Sequence, residues 1–232
     1  VIVTNEMLQK SYRKRYKIVS KVIYNPFLKQ QSTMKQSTKI QLDNGSVNIV
    51  FTGAIYTPHY DAFTNFISAL FLLEKPNVRL HLFTNQPIKE LENRGLAGPR
   101  IVNHAHIPYH EIQGVLKQAT VLFLPLGFKT PYPELIKTSF PGKMVDYLLA
   151  GKPILVHAPK DSFVAWYFRT HRCGVVVDKN NPFVLKEKLS ELLSDSKLQK
   201  RLSEHAMLRA QLDFSQEKSR QQFMHIMRKA SQ

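Results

Sequence analysis

Thr138-Ser139-Phe140-Pro141-Gly142-Lys143-Met144-Val145-Asp146-Tyr147-Leu148-Leu149-Ala150-Gly151-Lys152-Pro153 runs straight into the apolar triplet Ile154-Leu155-Val156. Pro141 suits a first helical turn, where its missing N–H costs nothing, and Gly151 with Pro153 stops the helix. A short helix over about residues 141–150 is therefore delivered directly to a strand. The same alternation extends outward. Val1–Thr4, Lys21–Tyr24, Val47–Gly53, Arg79–Thr84, Arg100–Asn103, Val121–Pro125, Pro153–His157 and Gly174–Val177 read as strands, several of them apolar throughout, as strands covered on both faces are. Helices are expected between them at about 6–15, 60–73, 109–118, 162–170 and 182–194, then at 196–212 and 216–230. Strand and helix in strict turn predict an α/β fold, a doubly wound parallel sheet, whose ligands lie beyond the carboxyl ends of the strands where the strand order reverses.

The quoted stretch also carries chemistry. The first turn of its helix presents backbone N–H groups and the positive end of the dipole, and Gly142 lacks a side chain that would hold an anion off. Lys143 adds a formal charge, and Asp146 follows one turn later on the same face. A phosphate over Lys143 with ribose hydroxyls on Asp146 is one outcome; an exposed Lys143–Asp146 ion pair of no functional consequence is the other.

Composition narrows the classes. The chain has 232 residues, 43% hydrophobic and 22% charged, ordinary globular values. No apolar run reaches the ~18 residues of a membrane span. The single cysteine, Cys173, permits no disulfide within the chain, and no secretory leader is seen, which together point to the cytoplasm. Net charge is +16, and half of it falls in residues 1–40, with nine basic side chains against one acidic. Lys10, Arg13, Lys14, Arg15, Lys17 and Lys21 form most of that patch, which attracts phosphates in lipid, nucleic acid or substrate, or else serves as a solubilising face. Residues 25–46, with Asn25-Pro26, a run of Gln, Ser and Thr, and Asp43-Asn44-Gly45, read as a linker. Because Val1 already lies in an apolar run, the chain reads as a fragment of a longer protein.

The run Ser139–Pro153 resembles the "P-x-K-x-x-E-Y-x-A-x-G-K-P" segment of GT-B glycosyltransferases, those of family 4 (group 1). Asn48-Ile49-Val50-Phe51-Thr52-Gly53-Ala54 is similar to the glycine-ending strand that opens their donor domain. Ile107-Pro108-Tyr109-His110-Glu111-Ile112 and Ala119–Pro125 are similar to the stretch that follows, and Val1–Pro26 resembles the end of their acceptor domain. The resemblance implies a carboxy-terminal, nucleotide-sugar-binding Rossmann-like half of a two-domain GT-B enzyme, with residues 1–24 from the acceptor domain, 47–213 the donor-binding domain and 214–232 a helix returning toward the other half. It implies transfer of a sugar from a nucleoside diphosphate sugar to a sugar or lipid-linked acceptor, without metal or cofactor. The catalytic groups are then expected in the amino-terminal domain. The substrate-binding set is Gly53, Ala54, Ile107, Ser139, Gly142, Lys143 and Asp146: the turn at the diphosphate, the loop at the base, the phosphate loop and the ribose carboxylate. The basic arm would then dock on an anionic membrane surface on the inner face of the cell membrane. Two positions depart from the pattern. Thr138 stands where the family places a second glutamate facing the donor sugar, and the Arg and Lys that often follow the opening glycine are absent after Gly53.

Other constellations read less sharply. His104, His106 and His110 have a spacing that zinc could use, although a strand-to-helix turn falls among them. His59 and Tyr60 open a helix or face the cleft, and Asn85 ends a strand as a turn residue or a cleft residue. Cys173 reads as a structural thiol, and Trp166-Tyr167-Phe168 as packing. No serine-hydrolase elbow or P-loop is present. The alternatives are a non-catalytic glycosyltransferase-like scaffold and a basic nucleic-acid-binding module, the latter without any recognisable binding motif.

Overall fold

The computed structural model describes residues 1–27 and 38–230. All eight expected strands form. β1 (Ile2–Val3) and β2 (Lys21–Val22) pair in parallel around helix α1 (Glu6–Tyr16), as a separate two-stranded sheet. The other six are β3 (Val47–Thr52), β4 (Val78–Phe83), β5 (Ile101–His104), β6 (Val121–Pro125), β7 (Ile154–His157) and β8 (Val175–Val177). They make one wholly parallel sheet in the order β5-β4-β3-β6-β7-β8. The order reverses between β3 and β6, which is the switch point of a Rossmann-like sheet.

Both faces are covered, and the pleat sorts the side chains. Ile49, Phe51, Leu80, Leu82 and Phe123 point to one face, where α2 (Tyr60–Phe71), α3 (Ile88–Asn93) and α8 (Pro182–Ser194) supply Phe63, Phe66, Leu70, Leu91 and Leu189. Val50, Leu122, Leu124, Ile154 and Val156 point to the other. There α4 (Tyr109–Leu116), α6 (Lys143–Leu149), α7 (Phe163–His171) and α9 (Ser196–Phe214) supply Val115, Tyr147, Tyr167 and Phe214. Two helices were not expected, α3 and α5 (Pro133–Thr138); each has six residues and no side-chain cap, so neither leaves a signal beyond a single turn of pattern. The last helix is α10 (Gln216–Ala230).

The first residues are tied to the end of α5, just before the turn that leads into α6. Asn5, fully buried, caps α1 by accepting from Leu8 N at 2.9 Å, and its Nδ2 donates to Thr138 O at 2.9 Å. Tyr24 packs its ring on Phe140, Phe163 and Phe214, and Phe27 N donates to Phe214 O at 2.9 Å. Phe214 thus closes α9 inside the core, while Phe223 and Met227 on α10 are exposed. Of the expected linker, Gln30, Gln31, Ser32, Thr33, Gln36 and Ser37 lie outside the described residues. Its end is laid on α4 and the turn after it: Thr38 Oγ1 donates to Glu111 at 2.9 Å, and Leu42 N donates to Gln118 Oε1, two residues past the helix, at 2.9 Å.

Candidate functional site

β3 has six residues, yet it registers with β6 only at Ile49↔Val121 and Val50↔Leu122. Beyond that the two strands part, and the crevice that opens at their carboxyl ends is where the site lies. On the β6 side the Thr52 N–H has no strand partner; it donates instead to the buried Tyr147 hydroxyl at 2.9 Å. One turn before Tyr147 stands Lys143. The strand ends on Gly53, whose φ of +108° is a left-handed value that side chains rarely adopt. A Cβ there would lie 3.1 Å from Lys143 Nζ. Gly53 and Lys143 are therefore brought into contact, and any other residue at 53 would meet the ammonium.

Lys143 sits over the Phe51 ring, Nζ 3.9 Å from its centroid, and among the described residues no carboxylate lies within ion-pair distance of it. Burial drives its pKa down to about 7. The aromatic face compensates part of the lost hydration, but the charge lacks a counter-ion. Asp146 turns elsewhere: its Oδ1 accepts from the Tyr109 hydroxyl at 2.9 Å, and burial raises its pKa against the pull of that bond. The surface ion pair Lys143–Asp146 does not form.

The tip of α6 is tighter than the sequence implies. The helix begins at Lys143, two residues after Pro141, because Pro141-Gly142 make a turn first. Met144 N donates to Pro141 O at 2.9 Å and Val145 N to Gly142 O at 3.3 Å, so two of the N–H groups expected to be open are taken. Gly142 is exposed, has an ordinary helical φ of −54°, and has open space where a Cβ would be. No side chain caps the turn.

Two cavities meet at Lys143 and Gly53. The smaller, about 170 Å³, is lined by Thr52, Gly53, Ala54, Phe83, Asn85, His106, Ile107 and Ile112. The larger, about 560 Å³, runs from Phe51, Ala54 and Lys143 past His59, Pro125 and Ser139 to Tyr132, just before α5, and Leu135 on it. Ala54 lines both. The structure thus gathers Gly53, Ala54, Ile107, Ser139, Gly142 and Lys143 around one crevice, with Asp146 behind Tyr109, two residues past Ile107. Asn85 lies in it, and so does His59, whose Nδ1 is 3.4 Å from Pro125 O and whose pKa is lowered by burial. Tyr60 does not: its hydroxyl donates to Glu90 and Arg94 stacks on its ring. The three imidazoles do not converge either. His104 Nε2 lies 2.9 Å from His81 Nδ1 and its ring stacks on Phe83, and among the described residues no three His, Cys, Asp or Glu side chains are placed to hold a metal. Thr138 spends its hydroxyl on Glu134 O, at 2.6 Å. Cys173 is buried and free. Sequence reasoning missed Phe51 beneath Lys143, Tyr109 on Asp146, and Tyr147 as the partner of Thr52; each is a contact between distant elements with no spacing signature of its own.

Residues 46–195 match the family described as glycosyl transferases group 1. No protein of curated function matches the sequence. Among solved structures, a sucrose-phosphate synthase from Thermosynechococcus elongatus superposes with a TM-score of 0.73 at 15% identity, covering 99% of this chain and 58% of its own. HepE of Anabaena, solved with UDP and glucose, gives 0.71 at 16%, covering 98% and 62%. The C-terminal domain of a group 1 family glycosyl transferase (LpcC) from Francisella tularensis gives 0.56 at 16%, covering 84% of this chain and 97% of that domain. At these identities the likeness is one of fold, and the chain spans about six tenths of the length of the first two.

Proposed function

This chain belongs to the glycosyl transferases of group 1, and from that premise we propose that its crevice binds a nucleoside diphosphate sugar as the donor half of a GT-B enzyme. One observation carries the reading: a lysine without a counter-ion, held against a left-handed glycine at the switch point of the sheet, between two cavities. In this reading the base enters the small cavity beside Ile107, the diphosphate lies on Gly53, Ala54, Gly142 and Lys143, and Ser139 flanks the sugar. Asp146 exchanges the Tyr109 hydroxyl for those of the ribose. When the sugar leaves, negative charge grows on the diphosphate, and a buried ammonium stabilises it far better than one in water. Residues 1–24 then belong to the acceptor half, 25–46 to the linker, 47–213 to the donor half and 214–232 to the returning helix. The catalytic groups lie in the acceptor half. The exposed cations of α1 seat the protein on an anionic membrane surface next to a lipid-linked acceptor. HepE, whose structure holds UDP and glucose, supports the donor class.

Calorimetry with UDP, GDP and inorganic pyrophosphate tests the roles separately. Lys143→Ala is expected to weaken all ligands that bind by at least about tenfold. Asp146→Asn is expected to weaken the nucleotides and leave pyrophosphate unchanged. Equal affinity for every ligand in wild type and Lys143→Ala would end the proposal. One observation favours the non-catalytic scaffold: Thr138 replaces a carboxylate and its hydroxyl is tied to its own helix. Turnover of a sugar nucleotide by a protein containing this chain would remove that reading.

A further inference from the structure

We propose that the larger cavity selects a donor whose sugar is deoxygenated, carrying a methyl where a hexose has a hydroxymethyl group, over the fully hydroxylated hexose. The inference rests on the donor-site reading and specifies its substrate class. Ala54 lines both cavities, so a donor with its base beside Ile107 and its diphosphate on Lys143 has the larger cavity ahead of it.

The walls of that cavity suit carbon better than hydroxyl groups. Five of its sixteen lining residues have polar side chains, and none is a carboxylate, an amide or an arginine, the groups that match sugar hydroxyls in pairs. Of the five, Lys143 is taken by the diphosphate. Tyr56 and Tyr132 stand at the rim, 65% and 62% exposed. His59 has Nδ1 near Pro125 O, which leaves one ring nitrogen, and Ser139 adds one hydroxyl. Thr138, at the position where a carboxylate would reach the sugar, is turned into α5. Opposite stand Phe51, Leu124, Leu126 and Ile136, all buried. A sugar hydroxyl lowered onto these loses water and gains no partner, which costs about tenfold in affinity, whereas a methyl gains about fourfold.

The test compares matched donors by calorimetry on this chain: UDP-6-deoxyglucose against UDP-glucose, and GDP-rhamnose against GDP-mannose, with UDP and GDP as references. Within the nucleotide that binds, the deoxy member is expected to bind at least about tenfold more tightly. Leu135→Gln places an amide in the wall at a 59% exposed position that the fold tolerates, and the ratio should then fall toward unity. Equal or reversed preference alongside intact binding of the free nucleotide would overturn this inference and leave the donor site standing. A ratio untouched by Leu135→Gln would overturn its assignment to this cavity, as would an apolar acceptor analogue that competes with the sugar but not with the nucleotide. No binding of any nucleotide would overturn both readings.

Discussion

Lys143 is a liability to the fold. Its pKa falls from the ordinary 10.5 to about 7 through desolvation. Between those values the unfolded chain binds more protons than the folded one, so this group makes stability rise with pH across that window, and its burial penalty is greatest below pH 7. Lys143→Met keeps the contact with Phe51 and removes the penalty. It is expected to raise stability at pH 6–7 by about 1–2 kcal/mol, measured by denaturant titration, while abolishing diphosphate binding. On the donor-site reading, an arriving diphosphate restores the proton in the wild type. Binding of UDP or GDP at pH 8 should take up about one proton, seen as buffer-dependent enthalpy, and affinity should fall about tenfold per pH unit above 7. No proton uptake would show that Lys143 does not meet the anion. Gly142 makes a parallel case. Its backbone is ordinary helix and its surroundings are open, so glycine is not needed there for folding. Gly142→Ala should stabilise by about 0.4–1 kcal/mol and yet weaken nucleotide binding, because the added methyl occupies the space above the loop.

The crevice is made by elements, above all by the divergence of β3 from β6. That divergence leaves the Thr52 N–H without a ladder partner inside the protein, and α6 repairs the gap with the Tyr147 hydroxyl. Tyr147→Phe keeps the ring and its packing but strands a buried donor one residue before Gly53. The expected cost is about 1–3 kcal/mol, or roughly 2–4 °C in Tm per kcal/mol for a domain of this size, with a measurable loss of nucleotide affinity as Gly53 shifts. Unchanged Tm would mean that water reaches Thr52 and that the strand end is not held by α6. The sequence announces β3, β6 and α6 clearly, since apolar β-branched runs and a Pro–Gly bracket are local signals. The Thr52–Tyr147 bond joins residues far apart in the chain, and no local pattern encodes it. For the same reason Lys143 and Asp146, neighbours by helical spacing, separate in the structure: each finds its partner on a different element, Gly53 with Phe51 for one and Tyr109 for the other.

Across the whole molecule, the strand–helix rhythm made the parallel sheet legible, and the residues grouped from the sequence around Gly53, Ile107 and Lys143 do share one crevice. The two cavities were not legible, because their walls come from β3, β6, α5 and the turn at His59 together. Charge is the property that only the whole chain displays. Among the described residues, Lys10, Arg13, Lys14, Lys17 and Lys21 are exposed and without carboxylate partners, while Arg15 is held by Glu134 at 3.5 Å. Tyr16 and Val19, 61% and 80% exposed, stand among them. No described helix is long and apolar enough to cross a membrane, so an attachment through this patch would be to the surface. Each basic side chain near an anionic leaflet contributes about 1 kcal/mol, falling away within a Debye length. The protein should therefore sediment with vesicles rich in anionic lipid at low salt, be released at high salt, and ignore neutral vesicles. Arg13→Gln, Lys14→Gln and Lys17→Gly together should cut partitioning by about 100-fold. The third change does not harm the helix, since Lys17 closes α1 in a left-handed conformation, φ 57°, that glycine prefers. Equal sedimentation of the triple variant, or binding to neutral vesicles, would show that the arm's charge serves solubility instead.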